Sequence, residues 1–266
     1  MIVDGKALAA EIKEQLKLKE PKPILAAVLV GEDPASVSFV NIKKKFGEAI
    51  GVEVRVLEYE ANIAQADVEA VVQKLGDDQN ITGIVVQLPL PKHLDQEKIL
   101  ALVPAEKDVD ALGPEPKVLD PVSGAIAEIL SQNGIEVAKK KALVIGKGKL
   151  VGRPVAVWLA QQGAVVETAD SQTDNLIDLL KVADIVVSGA GRPHFIKPAM
   201  IKEGVILIDA ATSDLPAGEA GASGKLAGDA DPACADKCAI FTPVPGGVGP
   251  ITVAKLFENL FELATD

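Results

Sequence analysis

Apolar positions along this chain follow two rhythms. In "GKALAAEIKEQLK" Leu8, Ile12 and Leu16 recur at helical spacing, and "QADVEAVVQKL" and "PASVSFVNIKKKFGEAIG" read as helices too, the last with Pro34 near its start and Gly51 at its end. Between them stand short apolar runs: "ILAAVLV" from Ile24 to Val30, "VEVRVLEY" and "ITGIVVQ". An unbroken aliphatic run marks a strand buried on both faces, as in a parallel sheet covered by helices. Strand and helix alternate, so the pattern predicts βαβ units with right-handed crossovers.

Prolines cluster from Leu112 to Gly124, and a domain boundary is expected there, followed by a helix from Ala125 to Asn133. The rhythm then resumes. "ALVIGKGKLVGRPVAVWLAQQGAVVETAD" reads as strand, glycine turn, helix and strand, and "ADIVVSGAG" and "GVILIDA" add two strands. "LPAGEAGASGKLAGDADPA" reads as a surface loop, and "FTPVPGGVGPITVAKLFENLFELA" as a stiff loop leading into an amphipathic helix.

Composition sharpens this picture. The chain has 266 residues, enough to bury a substantial core without covalent staples. Hydrophobic residues make up 48% but aromatics only 3%, the aliphatic balance of an α/β protein. The net charge of −11 argues against nucleic acid or an anionic membrane as partner, while leaving room for a local basic pocket. No apolar run reaches the roughly 18 residues of a membrane span, and "MIVDGKALAA" lacks the layout of a signal peptide. A soluble, cytoplasmic protein is expected. Cys234 and Cys238 stand four apart but lack further Cys or His neighbours, so they read as two packed thiols, and no metal is expected.

Four stretches carry candidate chemistry. In "GKGKLVG", Gly146 and Gly148 follow a strand and precede a helix, where backbone N–H groups can receive a phosphate. The spacing is one residue longer than the usual dinucleotide fingerprint, and a plain βα turn is the competing reading. Asp170 closes the following strand, where a carboxylate accepts hydrogen bonds from a ribose. Lys43 shares a helical stripe with Ser36, Phe39 and Ile50, which reads as inward-facing. Desolvation there would suit it to acid/base work, although the run Lys43-Lys44-Lys45 also reads as a solvated basic face. Gln87 ends a buried strand, the place where open α/β sheets bind ligands, and Asp110 could grip a fused-ring amidine. A turn cap and a helix cap are the bland alternatives for those two residues. Finally, the prolines and glycines of "TPVPGGVGPITV" make a loop that loses little entropy on binding.

Together these residues resemble the bifunctional methylenetetrahydrofolate dehydrogenase/methenyltetrahydrofolate cyclohydrolase family along nearly the whole chain. "DGKALA" is similar to the family's opening, and "GEDPAS" with Lys43 to its first catalytic helix. "GIVVQLPLP" and "EKDVD" resemble its folate-site motifs, "GKGKLVGRP" its cofactor loop, and "TPVPGGVGPITVAKLFEN" its closing signature. The resemblance implies an α/β fold of two domains with a cleft between them. Residues 1–119, joined by a C-terminal helix at 250–266, would be the folate-binding domain, and residues 120–249 a Rossmann-type dinucleotide-binding domain. Lys43 falls on the catalytic lysine, Gln87 on its supporting glutamine and Asp110 on the pterin-binding aspartate. Phe39, Val86, Leu88 and the loop residues Pro245, Gly246, Gly247, Val248, Gly249 and Pro250 would line the substrate. Gly146, Lys147, Gly148, Asp170, Ser171 and Thr212 would hold NADP or NAD.

The implied activity is oxidation of 5,10-methylenetetrahydrofolate to the methenyl form and hydrolysis of that product to 10-formyltetrahydrofolate. Tetrahydrofolate derivatives would be the partners of a homodimer serving one-carbon metabolism and purine biosynthesis. The chain departs from the family at several places. Phe39 replaces a tyrosine, Ala111 a glycine and Asp170 a histidine; "LDPVSG" replaces a Pro-Cys-Thr-Pro motif; Ala210-Ala211-Thr212-Ser213 replaces Val-Gly-Ile-Asn. These leave two alternatives open: a folate-binding homologue retaining one activity or neither, and a dehydrogenase acting on another small molecule. Asp170, with the uncharged Gln172 nearby, leads to the expectation that NAD is used at least as well as NADP, although Lys147 could meet a 2′-phosphate.

Overall fold

The computed structural model describes residues 1–214 and 226–265. In chain order the elements are α1 (Gly5–Lys17), β1 (Ile24–Val30), α2 (Pro34–Ala49), β2 (Glu53–Tyr59), α3 (Gln65–Asp77), β3 (Gly83–Val86), α4 (Gln96–Leu100), α5 (Pro121–Gln132), β4 (Lys141–Ile145), α6 (Gly152–Gln161), β5 (Val165–Ala169), α7 (Leu176–Val182), β6 (Ile185–Ser188), β7 (Ile206–Asp209), β8 (Ser213–Asp214), β9 (Leu226–Ala227), β10 (Ile240–Phe241) and α8 (Val248–Leu263). The chain divides into two compact units. The first comprises Ala9–Pro121 with Val253–Asp266, the second Met1–Leu8 with Val122–Thr252.

The first unit is built on a parallel sheet of order β2-β1-β3. β1 is apolar throughout because it is central, with Leu25 to Val28 fully buried. β2 is an edge strand, and its alternating sequence gives alternating exposure. Beyond β3 the chain returns alongside: Ile84 N–H donates to Lys107 O at 2.7 Å, and Ile84 bridges Asp108 in parallel register. The C-terminal half of α8 completes this unit. Phe257 is fully buried and stacks on Phe46 with ring centroids 5.0 Å apart. Buried Asn259 donates from Nδ2 to Val109 O at 2.9 Å and to Leu119 O at 2.8 Å.

The second unit carries a parallel sheet of order β10-β7-β6-β4-β5. Leu143, Ile145, Val186 and Leu207 fill one core between this sheet and its coverings. Residues 1–3 lie along β10: Val3 N–H donates to Phe241 O at 2.8 Å, and Phe241 N–H to Met1 O at 2.9 Å. This pairing draws Met1–Leu8 into the second unit. β8, β9 and β10 are only two residues each, too short to leave a period in the sequence.

Boundaries moved where caps decided them. α5 opens at Pro121, four residues earlier than its apolar run suggested, because proline suits the first helical turn. α8 opens at Val248, so Gly249 and Pro250 belong to its first turn. Of "LPAGEAGASGKLAGDADPA", the part from Leu215 to Lys225 lies outside the described residues. Among the described residues no helix is long and apolar enough to cross a membrane.

Asn259 gives this unit a testable dependence. Asn259→Leu keeps the branching of the side chain but strips the donor from two carbonyls, Val109 O and Leu119 O. Unfolding by urea should then be easier by about 1–3 kcal/mol; an unchanged midpoint and slope would show that the two carbonyls do not depend on Nδ2.

Candidate functional site

In the first unit, three elements converge. α2 is started by Asp33, whose carboxylate accepts from Ser36 N–H at 2.8 Å, with Pro34 in the first turn. These bonds hold the Asp33 carboxyl below its ordinary pKa, the Ser36 backbone contributing most. The helix buries Ser36, Val40 and Gly47, and Lys43 follows Ser36 two turns on. The Lys43 side chain is therefore only 12% exposed, while Lys44 and Lys45 point to solvent. Phe39 does not share this burial: it is 40% exposed. At about 100° per residue it lies on the flank of the buried stripe, so its inward placement on spacing alone is corrected.

Lys43 Nζ donates to Gln87 Oε1 at 3.2 Å and stands 3.8 Å from Asp110 Oδ2. Gln87 lies one residue beyond the assigned end of β3, yet its N–H still pairs with Val28 O at 2.9 Å. Its other side-chain atom, Nε2, donates to Leu88 O at 2.8 Å, which fixes Oε1 toward the lysine. Val86 is buried and Leu88 half-buried beside it. Asp110 ends the segment that runs along β3. Asp108, just before it, accepts from Gly113 N–H at 2.7 Å, and burial pushes its carboxyl pKa up. Ala111 holds φ at +54°, a left-handed conformation that favours glycine. The arrangement offers an ammonium or amine, an amide and a carboxylate within reach of one substrate atom.

In the second unit, β4 delivers the glycine loop. A Cβ on Gly152 would lie 1.8 Å from Gly146 O, and one on Gly146, at φ +99°, would lie 2.6 Å from Gly189 O. The protein's own backbone demands these two glycines. Gly148 is different, since a Cβ there would meet nothing within 4 Å. Its bareness leaves open backbone beside the start of α6, which fits a bound phosphate. Lys147 Nζ pairs with Asp170 Oδ2 at 2.7 Å, the two partners 51% and 33% exposed. Asp170 Oδ1 also accepts from Gln172 N–H at 3.0 Å. The Lys147 ammonium, then the Gln172 amide, hold the Asp170 carboxyl below its usual range. Ser171 and Thr212 are exposed, in the turns after β5 and β7.

The proline–glycine loop also belongs to the second unit. Gly246 O accepts from Gly5 N–H at 3.0 Å, and Gly247 N–H donates to Pro243 O at 2.8 Å. Gly247 and Val248 are buried, Pro245 and Gly249 exposed. Cys234 and Cys238 are free and buried, and burial raises their pKa values to about 11 and about 12, so both remain thiols. Among the described residues no group of three His, Cys, Asp or Glu could hold a metal ion.

Sequence reading missed a buried polar knot at the ends of β6 and β7. Asp229, fully buried, accepts from Ser188 Oγ at 2.5 Å, Ala190 N–H at 2.7 Å and Arg192 N–H at 2.6 Å. Asp209 accepts from Ala230 N–H at 2.7 Å and Ala211 N–H at 3.1 Å. Burial, with the nearby Asp229 charge, raises the Asp209 pKa to about 6. The only signal in the sequence was polar residues ending apolar runs, "VVS" and "LID".

Lys147→Ala should move the Asp170 carboxyl titration upward, toward the ordinary aspartate range, as followed by 13C NMR of the side chain. An unmoved titration would mean that the ammonium does not sit on this carboxylate in solution.

Residues 3–110 match the model of the tetrahydrofolate dehydrogenase/cyclohydrolase catalytic domain, and residues 121–266 that of the NAD(P)-binding domain of the same family. The bifunctional protein FolD of Acetivibrio thermocellus is 37% identical, over 99% of this chain and 96% of its own. The crystal structure of the bifunctional methylenetetrahydrofolate dehydrogenase/cyclohydrolase FolD from Campylobacter jejuni superposes with a TM-score of 0.94 at 36% identity, covering 100% of this chain and 98% of that one. The Trypanosoma brucei FolD structure, complexed with NADP cofactor and inhibitor, gives 0.91 at 32% identity, covering 100% of this chain and 98% of that one.

Proposed function

The chain belongs to the tetrahydrofolate dehydrogenase/cyclohydrolase family, and from that premise we propose that it oxidises 5,10-methylenetetrahydrofolate with NAD(P) and hydrolyses the methenyl product to 10-formyltetrahydrofolate. The observation that carries the reading is the Lys43–Gln87–Asp110 arrangement, with the ammonium nitrogen 3.2 Å from the amide oxygen and 3.8 Å from the carboxylate.

Hydrolysis adds water to the cationic carbon between two nitrogens of the methenyl compound. The attacking water must lose both protons, one of which ends on the departing ring nitrogen and the other in solvent. Lys43 moves these protons, and Gln87 holds Nζ in place while they move. Asp110 pairs with the amino-pyrimidine edge of the pterin, where charge assistance strengthens each hydrogen bond. For the oxidation, a bound dinucleotide would supply the hydride acceptor. The protein's part in that step is positioning. Gly146, Lys147, Gly148, Asp170, Ser171 and Thr212 are the residues proposed to hold the dinucleotide, with the open backbone at Gly148 receiving its phosphates. The same proposal includes a cytoplasmic homodimer.

Following methenyltetrahydrofolate by its absorbance, with and without each nicotinamide, tests both activities directly. Lys43→Met should lower the hydrolysis rate by at least about a hundredfold, or about 2.7 kcal/mol of barrier, while folate still binds. Hydrolysis surviving within about tenfold would remove Lys43 from the chemistry.

Cofactor choice is the second test. Asp170 already occupies Lys147, so the 2′-phosphate of NADP would meet a carboxylate and a cation that is spoken for. The ribose of NAD needs only an acceptor. We expect kcat/KM with NAD to equal or exceed that with NADP, and Asp170→Ser to shift the ratio toward NADP. A wild-type preference for NADP above about a hundredfold would show that Lys147 leaves Asp170 for the phosphate.

A further inference from the structure

We propose that Asp229 is a positioning residue that holds the loop Gly189–Arg192 as one wall of the dinucleotide site, an inference that rests on the cofactor reading above. The loop leaves the carboxyl end of β6, next to the carboxyl end of β4, with Ser188 in register with Ile145. Ligands of open parallel sheets bind beyond these strand ends. The loop's backbone packs directly on the glycine loop after β4. Gly189 N–H donates to Ile145 O at 2.8 Å, and a Cβ on Gly146 would lie 2.6 Å from Gly189 O and 3.2 Å from Ala190 N. A Cβ on Gly189 would in turn lie 2.6 Å from Val151 Cγ1. A shift of this loop therefore shifts the Gly146 turn.

Nothing in the loop's own sequence stiffens it. It carries Gly189 and Gly191, the latter at φ +67°, and glycine widens the conformations open to a chain. Stiffness comes from Asp229, whose two carboxylate oxygens collect the Ser188 hydroxyl and the Ala190 and Arg192 amides. Asp229 is itself anchored. Its carbonyl accepts from Ile196 N–H at 3.0 Å, Gly228 O accepts from His194 N–H at 2.9 Å, and the Ala230 amide donates to Asp209. A buried carboxylate is costly unless every lone pair is used. Here both oxygens are used on donors from the segment that borders the glycine turn.

Asp229→Asn is the discriminating variant. One oxygen becomes an NH2 group, so either Arg192 N–H or the Ser188–Ala190 pair of donors faces another donor. Dissociation constants for NAD and NADP, read by calorimetry on the full chain, should rise at least about tenfold. Amide exchange at Ala190 and Arg192 should quicken. Methenyltetrahydrofolate hydrolysis, which consumes no nicotinamide, reports that the first unit is intact. Quickened amides with both affinities within about twofold of wild type would overturn the proposal. If Asp229→Asn loses the fluorescence of folded Trp158, Ser188→Ala decides instead: it deletes one donor only, and should weaken both nucleotides about threefold; unchanged affinity overturns the proposal. A wild type that binds neither nucleotide would refute the cofactor reading itself, an outcome distinct from a wild type and variant that bind alike.

Discussion

Asp110 stands beside Lys43 because the backbone at Lys107 pairs with Ile84. That hydrogen bond, at 2.7 Å, lays the segment Lys107–Val109 along the free edge of β3, so that its next residue emerges level with the end of the strand. Each of four consecutive residues then has one task. Lys107 Nζ donates to Leu75, Gly76 and Asp78 carbonyls, closing the end of α3. Asp108 ties down Gly113, Val109 is fully buried, and Asp110 faces the lysine. A carboxylate on an untethered loop would have to be ordered at the moment of binding; here that ordering entropy is met during folding.

The two units use a lysine–aspartate pair in opposite ways. Lys43 and Asp110 are 12% and 20% exposed and 3.8 Å apart, a separation that leaves neither satisfied by the other alone. Such a pair keeps hydrogen-bonding capacity for a substrate, and its partial burial limits screening by salt. Lys147 and Asp170 are in full contact at 2.7 Å but largely exposed. An exposed pair adds little to stability, and here each charge already answers the other. Geometry, more than the residue types, separates a poised pair from a self-satisfied one.

How much of this was legible depended on range. β1 could be read from seven consecutive aliphatic residues, because a central parallel strand has no polar face to show. The inward turn of Lys43 could be read because Ser36, Lys43 and Ile50 share one helical stripe. Phe39 was misread for the same reason: spacing defines a stripe but not its width, and its exposure was set by what covers the helix. The Lys147–Asp170 contact was not legible, since each residue was weighed against a ligand and neither against the other. The knot around Asp229 joins residues 37 to 41 positions apart, and no local pattern reports such partners. Likewise, the pairing of Met1–Val3 with Phe241 spans nearly the whole chain.

The placement of α8 has a consequence for how the molecule is made. Its C-terminal half supplies Phe257 to the Phe46 stack and Asn259 to the Val109 and Leu119 carbonyls, all in the unit that the chain begins to build at Ala9. A ribosome releases β1, β2 and β3 well before it releases those residues, because the other unit's sequence lies between. During synthesis the nascent sheet therefore waits with one apolar face uncovered, and Gly83, which would hold a Cβ only 2.5 Å from Leu260, has nothing yet packed on it. Domains usually fold as they emerge, N-terminal first. In this protein the unit begun at Ala9 is completed only after the other unit's sequence has been made, so exposed aliphatic surface must be tolerated, or shielded by chaperones, over that whole interval.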